Sequence, residues 1–406
     1  MKYWLTFLLA LAMSVFAADV KPFVFDDIAK DSATQQAEFD YMLQYKLFGR
    51  DYMSIGNDVT ILDKSGWNGT RGDLTVTHRL NLGGPTLVAG DIKLGDGNHF
   101  TTGPIRGNSL TIGNDNSSYF TGEVVLKNDP GDAVKGIIAR SGGTYETTSS
   151  TVPEAPSTLS IPTITWPDTI SGNNDIYISA NNGVAYIDIP DGDDTYDLYL
   201  NAIHTGVGGT DGSKLYIRMQ DGGRLTRIFV KDLKIGNHTT INVVYRTAEG
   251  DVIQSQKSYR GNLMFYTDAD LTFERTDNVP IQGSFLTTKK LYLACNLDFA
   301  GQLLANQLEI GNTFNGENFR FVKFDPDTLD IDPTLNKEGG LRENDSTVVL
   351  PIQLSDTATV DVYFNYCFDL KDGVTVDDFN MVTDFPICGT DAPKTLVIPT
   401  GSKVPT

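Results

Sequence analysis

The sequence is poor in the residues that most often build metal and catalytic sites. Its 406 residues include three cysteines and four histidines, which are His78, His99, His204 and His238. The histidines lie far apart and lack the H-x-x-x-H spacing of a zinc site. A G-x-S-x-G elbow, a P-loop and a G-x-G-x-x-G turn opening a helix are also missing. These absences argue against zinc enzymes, elbow-type serine hydrolases and nucleotide-binding enzymes.

Basic residues are scarce as well. The chain has 32 Lys and Arg against 52 Asp and Glu, which gives a formal net charge of −20. Nucleic acid is therefore an unsuitable partner, because its phosphates require a basic protein surface. Acidic proteins of this kind remain soluble by self-repulsion, and their carboxylates make bound Ca²⁺ a candidate ligand, with no cofactor required.

Long apolar runs are limited to residues 4–16, which follow Lys2 and precede Ala17. A membrane span needs about 20 residues, so this run is short for a membrane anchor. We interpret residues 1–17 as a signal peptide that is cleaved after Ala17, with an uncleaved anchor as the alternative. The sequence thus predicts a secreted or cell-surface protein with no transmembrane segment in the mature chain.

One helix is predicted, at the start of the mature chain. Residues 31–47 contain neither Gly nor Pro, and Phe39, Met42, Leu43 and Leu47 recur at helical spacing. We expect residues 18–50 to place this helix as a lid over an open end of a β-structure. From about residue 52, short apolar runs alternate with Gly, Asn and Asp, which is typical of strands and turns. No helical segment intervenes, which excludes a doubly wound α/β sheet.

A short phrase, Ile-Gly-Asn, recurs through this β region. Its copies begin at Ile55, Ile112, Ile235 and Ile310, at intervals near whole multiples of a β-solenoid coil of about 20 residues. We expect Ile to point inward, Gly to supply a positive φ at a corner and Asn to form a ladder. The alternative is chance recurrence among 39 glycines. The predicted fold is all-β, a right-handed β-solenoid (β-helix) over residues 51–324.

Composition divides the remaining chain. Residues 142–167 are rich in Ser, Thr and Pro, which indicates a linker or loop. Longer alternating segments follow, so we predict an inserted β region at about 155–275. It forms either broader coils of the same solenoid or a small inserted sandwich. Acidic residues and prolines mark a linker at 325–341, and residues 342–406 read as a separate β segment.

Two phrases in the predicted solenoid carry a family resemblance. Residues 87–92 (LVAGDI) and 301–310 (GQLLANQLEI) resemble the opening and closing motifs of the bacterial choice-of-anchor A domain. The resemblance spans roughly residues 48–324 and rests on short, glycine-rich motifs. It implies a β-helical domain associated with the cell surface.

The C-terminal segment is similar to part of a Calx-β domain. The similarity lies in residues 342–354, 360–364, 377–379 and 395–401. It implies an Ig-like sandwich, and some members of that family bind Ca²⁺ through acidic loops. The residues here that match those positions are Glu343, Asp345, Asp377 and Asp378. The family continues with at least one more strand after the position of Gly401, so we expect either a truncated product or another chain that donates a strand.

Cysteine usage depends on export. Cys367 and Cys388 lie close together in the C-terminal segment, and in an oxidising compartment we predict a disulfide between them. A loop of that size contributes about 3 kcal/mol of stability by the chain-entropy model. The pair is not part of the Calx-β pattern. Cys295, within an apolar run, is interpreted as a buried free thiol.

Aromatic residues in the middle region suggest what the protein binds. Tyr177, Tyr186, Tyr196 and Tyr199 are candidates for a face that stacks against sugar rings. The alternative for these tyrosines is ordinary packing between strands. The sequence thus favours a non-catalytic structural or adhesion protein whose partner is a polysaccharide or a cell-envelope component.

The alternative function is a carbohydrate-active enzyme, a polysaccharide lyase or glycoside hydrolase on the same scaffold. Such chemistry needs paired carboxylates, or carboxylate-bound Ca²⁺ beside a basic side chain. We interpret the available acidic groups as solvated corners, so no residue is assigned a catalytic role. The candidates considered are Asp191, Asp193, Asp194, Asp268 and Asp270, with Arg224 and Arg227 as the nearest bases.

Overall fold

The structure is a computed structural model. It describes residues 23–24, 32–113, 117–148, 156–170, 175–192, 194–207, 212–220, 224–247, 250–274, 279–294 and 298–324. It also gives the backbone of four short strands within residues 329–398. The described chain is almost entirely β, which confirms the predicted all-β class, and it includes two helices.

The elements up to residue 148 are β1 (Phe23–Val24), α1 (Ser32–Met42), β2 (Tyr45–Ile55), β3 (Thr60–Ile61), β4 (Trp67–Thr70), β5 (Asp73–Val76), β6 (Asn81–Gly83), β7 (Thr86–Val88), β8 (Ile92–Leu94), β9 (His99–Thr101), β10 (Ile105–Gly107), β11 (Leu110–Ile112), β12 (Tyr119–Phe120), β13 (Glu123–Leu126), α2 (Asp132–Arg140) and β14 (Thr144–Thr147). The middle region contains β15 (Thr163–Ile164), β16 (Asp175–Ser179), β17 (Gly183–Asp188), β18 (Tyr196–Val207), β19 (Ser213–Gln220), β20 (Thr226–Ile235), β21 (Thr239–Thr247), β22 (Gly250–Ile253), β23 (Leu263–Thr267) and β24 (Leu271–Phe273). The last elements are β25 (Pro280–Leu293), β26 (Asp298–Ile310), β27 (Asn315–Gly316), β28 (Arg320–Phe321), β29 (Leu329–Ile331), β30 (Ile352–Leu354), β31 (Val362–Tyr366) and β32 (Lys394–Ile398).

Most strands join three parallel ladders, which we name A, B and C. Ladder A runs, in spatial order, through β18, β20, β23, β25, β26, β2, β4, β7, β10, β13 and β14. Ladder B runs through β16, β18, β20, β24, β25, β26, β2, β5, β8 and β11. Ladder C has two stretches, β17–β19–β21–β25–β26–β28 and β27–β3–β6–β9–β12.

The three ladders enclose one core. Leu47 of ladder A, Leu74 of ladder B and Leu82 of ladder C belong to the same cluster of buried side chains. Side chains alternate between the two sides of a strand, so each ladder also has an outward face. In β8 of ladder B, for example, Ile92 is buried whereas its neighbour Lys93 is exposed.

The path of the chain through the ladders is not sequential. β2, the first strand of ladders A and B along the chain, pairs with β26 on one side and with β4 and β5 on the other. The chain then runs outward to β14, crosses to β16 at the far end of ladder B, and returns to β26. The strands from β16 to β24 therefore lie in the same ladders as β25 and β26, except β22, which pairs antiparallel with β21.

The four Ile-Gly-Asn phrases occupy one position in ladder B. Ile55, Ile112, Ile235 and Ile310 each end a strand of this ladder, and Ile310 pairs directly with Ile55. The first, third and fourth of these isoleucines are buried, and Ile112 packs against the core. The alignment fits the expectation that Ile points inward.

The expected role of the glycine in this phrase is wrong. The left-handed φ falls two residues later, on Asp58, His238 and Thr313. The glycine is required because a Cβ would collide with the neighbouring strand. A Cβ on Gly236 would lie 2.5 Å from the Thr205 carbonyl oxygen. Small size, rather than an unusual backbone conformation, is what the corner needs.

The predicted N-terminal helix is confirmed in part. α1 ends at Met42, and β2 begins at Tyr45, so the expected helix over residues 43–47 is wrong. Pairing of Leu47 with Leu303 outweighs local helix propensity there. α1 also does not cover an open end, because Phe39 and Met42 pack against the outward side chains of ladder A.

A second helix, α2, escaped the sequence analysis. Val134, Ile137 and Ile138 are its buried residues, and they join the main core. α2 contacts β12 and β14, the last strands of ladders C and A, so it lies at that end of the stack. The spacing of these three apolar residues after Gly131 is the signal that predicts it.

Candidate functional site

The four candidate tyrosines lie in different surroundings. Tyr177 and Tyr186 are 60% and 53% exposed, on the outward faces of ladders B and C respectively. Tyr196 packs against the main core, and Tyr199 packs in the second cluster beneath α1. The four residues therefore do not share one face.

Tyr186 instead forms a pair that the sequence analysis missed. It lies opposite Tyr216 in the register of β17 and β19, and the two rings stack with centroids 5.3 Å apart and an interplanar angle of 24°. The Arg218 guanidinium lies 4.6 Å from the centroid of the Tyr186 ring. We name Val184, Tyr186, Lys214, Tyr216 and Arg218, which alternate on two adjacent strands, the Tyr186 platform.

The platform rests on a rigid base. The residues between its members point inward, and Leu215, Ile217 and Ile187 are buried in the main core. Because both strands are anchored in this way, the two rings are held in place before any ligand arrives. Strict alternation in residues 213–220 (SKLYIRMQ) is the sequence signal that places Tyr216 and Arg218 on one side.

The Tyr186 side chain remains accessible to a ligand beside Tyr216 and Arg218. Tyr216 covers the side toward β19, and within the described residues β17 pairs with β19 alone. The opposite side faces the end of the stack, and the side chain remains more than half exposed. An exposed aromatic ring beside cationic and hydroxyl groups is suited to the apolar face of a sugar.

Ion pairs fix the border of the platform. Arg218 binds the Asp188 carboxylate, with Nε 2.6 Å from Oδ1, and lies 3.6 Å from Asp251. The hydrogen bond with Asp188 raises the pKa of the Arg218 guanidinium. Arg246 joins this network through Asp188 and Asp191. The arginines are thereby neutralised, so they orient the rings without creating a strong anion site.

Tyr177 belongs to a second cluster, on ladder B. Its ring meets the His204 ring edge-on at 5.0 Å, and His204 Nε2 lies 2.7 Å from Asp232 Oδ2. Lys234 Nζ is 3.0 Å from the same oxygen. Burial alone would raise the pKa of the Asp232 carboxyl, but hydrogen bonds from Lys234 and His204 outweigh it and lower that pKa.

Three of the acidic groups considered for catalysis are engaged in structural contacts. Asp191 binds Arg246, Asp268 accepts a hydrogen bond of 2.9 Å from Trp166 Nε1, and Asp270 accepts one of 3.2 Å from the Lys290 backbone N–H. Asp194 is also within the described chain, whereas Asp193 lies outside it.

The candidate bases are engaged as well. Arg227 donates two hydrogen bonds of 2.6 and 2.8 Å to Asp197. Arg224 donates to the Pro190 carbonyl oxygen and stacks over Tyr196, with its guanidinium 4.8 Å from the ring centroid. Arg227 therefore joins two neighbouring strands, β20 and β18, and Arg224 joins the segment before β20 to the loop after β17.

Several predicted residues lie outside the described part of the chain. They are the disulfide pair Cys367 and Cys388, the thiol Cys295 and the calcium candidates Glu343, Asp345, Asp377 and Asp378. Among the residues that are described, no group of three or more His, Cys, Asp or Glu could hold a metal ion. No helix in the same residues is long and apolar enough to cross a membrane.

Comparisons of the chain with protein-family models, with curated proteins and with solved structures give no match.

Proposed function

We propose that this protein is a secreted or cell-surface β-solenoid that binds a neutral polysaccharide through the Tyr186 platform and performs no catalysis. The observation that carries the proposal is the stacked pair of Tyr186 and Tyr216, anchored from below and exposed above. Sugar-binding proteins bury the apolar faces of pyranose rings against such aromatic side chains.

The parallel ladders support the solenoid. Successive partners along β5, β8 and β11 of ladder B are 18 residues apart, as in the pairing of Leu74 with Ile92 and of Ile92 with Leu110. Three parallel ladders around one core support the right-handed β-helix that the sequence predicts. In this scheme residues 51–324 are one solenoid, and the middle region consists of its broader coils rather than an inserted sandwich.

Charge selects the class of polysaccharide. A net charge of −20 repels chains that carry uronate or sulfate groups, especially at low ionic strength. The arginines at the platform do not reverse this effect, because Asp188 and Asp251 neutralise Arg218. A neutral, linear polysaccharide avoids the repulsion and still offers ring faces to Tyr186.

The contacts of the acidic residues support a binding role over an enzymatic one. Asp191, Asp268 and Asp270 each accept a hydrogen bond from another part of the protein. A general acid or nucleophile has to reach the substrate instead. Export, surface association, the C-terminal Calx-β-like segment and its calcium ligands remain predictions from the sequence.

Affinity electrophoresis of residues 18–406 tests the proposal. The gels contain konjac glucomannan or hydroxyethyl cellulose as neutral chains and sodium alginate as the anionic comparison. We expect retardation by a neutral chain and none by alginate. Tyr186→Ala should weaken retardation about tenfold, the equivalent of about 1.4 kcal/mol.

Tyr177→Ala is the matched control, because it removes an equally exposed tyrosine from another ladder. This variant should bind like the unmodified protein. Unchanged retardation of Tyr186→Ala would overturn the proposal, as would migration that neither neutral polysaccharide alters.

A further inference from the structure

A second aromatic pair lies at the opposite end of ladder C. Tyr119 is 43% exposed and lies opposite His99 in the register of β12 and β9. The two ring centroids are 6.0 Å apart, and the rings are inclined at 64°. β12 is the terminal strand of its stretch of ladder C, as β17 is of the other.

This pair is built in the same way as the Tyr186 platform. Phe100 and Phe120 follow His99 and Tyr119 in their strands and point inward, where they stack at 5.6 Å with an interplanar angle of 4°. The buried pair fixes the two outer rings relative to each other. Two residues beyond Tyr119 lies the exposed Thr121, whose hydroxyl accepts a hydrogen bond of 3.0 Å from the Thr102 backbone N–H.

Both ends belong to one stack. Ladder B connects β16, next to β17 in the chain, with β11, which precedes β12, through nine consecutive strand pairings. At a spacing of about 4.8 Å per strand, this is a separation of roughly 43 Å. The shared core makes the connection between the two rings stiff.

We propose that His99, Tyr119 and Thr121 form a second binding site for the same neutral polysaccharide, so that one molecule holds two chains or two points of one chain. The proposal rests on the proposed function, because it assigns the same ligand class to a second site. Two sites on a rigid spacer raise the avidity for long chains and cross-link them, whereas each site alone binds weakly.

The test separates the number of sites from their strength. Cellohexaose, which engages one site at a time, is titrated into residues 18–406 by calorimetry. Cross-linking is measured as the light scattering of hydroxyethyl cellulose on addition of protein. The variants are Tyr119→Ala, Tyr186→Ala and the double variant, and Tyr177→Ala is again the control.

We expect two equivalents of cellohexaose for the unmodified protein and for Tyr177→Ala, one for each single variant and none for the double variant. Each single variant should abolish the rise in scattering. Tyr119→Phe should retain both sites, because the ring is kept, and circular dichroism checks that the alanine variants remain folded.

A single equivalent that is lost in Tyr186→Ala and kept in Tyr119→Ala would overturn the second site and leave the proposed function intact. Absence of binding by the unmodified protein would overturn both. Two equivalents that persist in folded Tyr119→Ala would place the second site elsewhere and also overturn the inference.

Discussion

The outward faces of ladders A and B share several strands, but the face of ladder A is covered and that of ladder B is exposed. β2, β20, β25 and β26 each contribute one segment to ladder A and a later segment to ladder B. On ladder A the outward side chains are large and apolar, as at Phe48, Phe229, Leu286 and Leu304, and α1 and residues 156–166 cover them. On ladder B they are polar or partly exposed, as at Ser54, Lys234, Tyr292 and Glu309.

The difference shows that the ladder itself does not decide which face becomes interior. Both ladders pair in parallel and place apolar side chains in the same core. The outward residues add a second apolar cluster to ladder A. This cluster is buried by α1 and by residues 156–166, which we name the crossing segment. The outward side chains, which occupy alternate positions, thus decide whether a ladder face is covered. Substitutions at these positions should therefore have different effects in the two ladders.

The largest effect should come from the covered aromatic face of ladder A. Phe229 stacks between Tyr199 and Tyr266, at centroid distances of 4.8 and 5.2 Å, and is fully buried. Phe229→Ala removes these contacts and leaves a cavity, so the free energy of unfolding should fall by about 3–5 kcal/mol. Urea denaturation followed by circular dichroism measures this change.

Tyr177→Ala is the corresponding change on ladder B, because it deletes an aromatic ring that is mostly exposed. Its cost should stay within about 0.5 kcal/mol. Equal losses in the two variants would mean that α1 and the crossing segment do not protect ladder A.

An effect of intermediate size should come from the inner side of β2. Lys46 is fully buried, and its ammonium group donates to the carbonyl oxygens of Asp63 and Gly83. Burial lowers its pKa to about 8, an effect that the nearby Asp63 carboxylate opposes. Between pH 8 and the usual pKa near 10.5, the unfolded chain retains a proton that the folded protein has lost.

The free energy of unfolding should therefore rise with pH in this window, by at most about 3 kcal/mol. Lys46→Met should abolish the rise, which denaturation curves between pH 7.5 and 9.5 would show. Lys93→Met, at an exposed lysine of ladder B, should preserve it. A rise that persists in Lys46→Met would assign it to another group.

The alternation of inward and outward side chains along a strand can be predicted from the sequence, whereas the pairing of distant strands cannot. Alternation around Leu215 and Ile217 predicts strands with one inward face, and the recurring Ile-Gly-Asn phrase predicts stacking. Nothing in the local sequence indicates that Leu47 pairs with Leu303, because the two residues lie far apart along the chain. Because this pairing is not visible locally, the sequence predicts a helix up to residue 47, whereas α1 ends at Met42.

Side-chain alternation and an intervening turn determine which faces the four candidate tyrosines occupy. Tyr196 and Tyr199 are three residues apart on one strand, so alternation alone puts them on opposite faces. Tyr177 and Tyr186 lie on either side of the turn at residues 180–182, which moves the chain from ladder B to ladder C. Their separation could not be foreseen without the turn, and neither could the register that brings Tyr216 beside Tyr186.

The smallest effect should come from ion pairs, and it again distinguishes the two ladders. Asp73 and Lys93 pair at 2.7 Å on the exposed face of ladder B, whereas Asp197 and Arg227 pair at 2.6 Å where ladder A is mostly covered. Double-mutant cycles with Asp73→Asn and Lys93→Met should give little or no coupling, because solvent screens exposed charges. This coupling should vanish at high NaCl.

The Asp197→Asn and Arg227→Met cycle should give a larger coupling that persists in salt, since two parallel hydrogen bonds and partial burial protect the pair. The contact of the Arg227 guanidinium with Phe23, 5.1 Å from the ring centroid, is lost in both the single Arg227 variant and the double variant, so it cancels in the cycle. Equal salt sensitivity in the two cycles would contradict the distinction, because it would place both pairs in the same dielectric surroundings. If only the coupling of the ladder A pair persists in salt, the cover over this face affects its electrostatics as well as its packing.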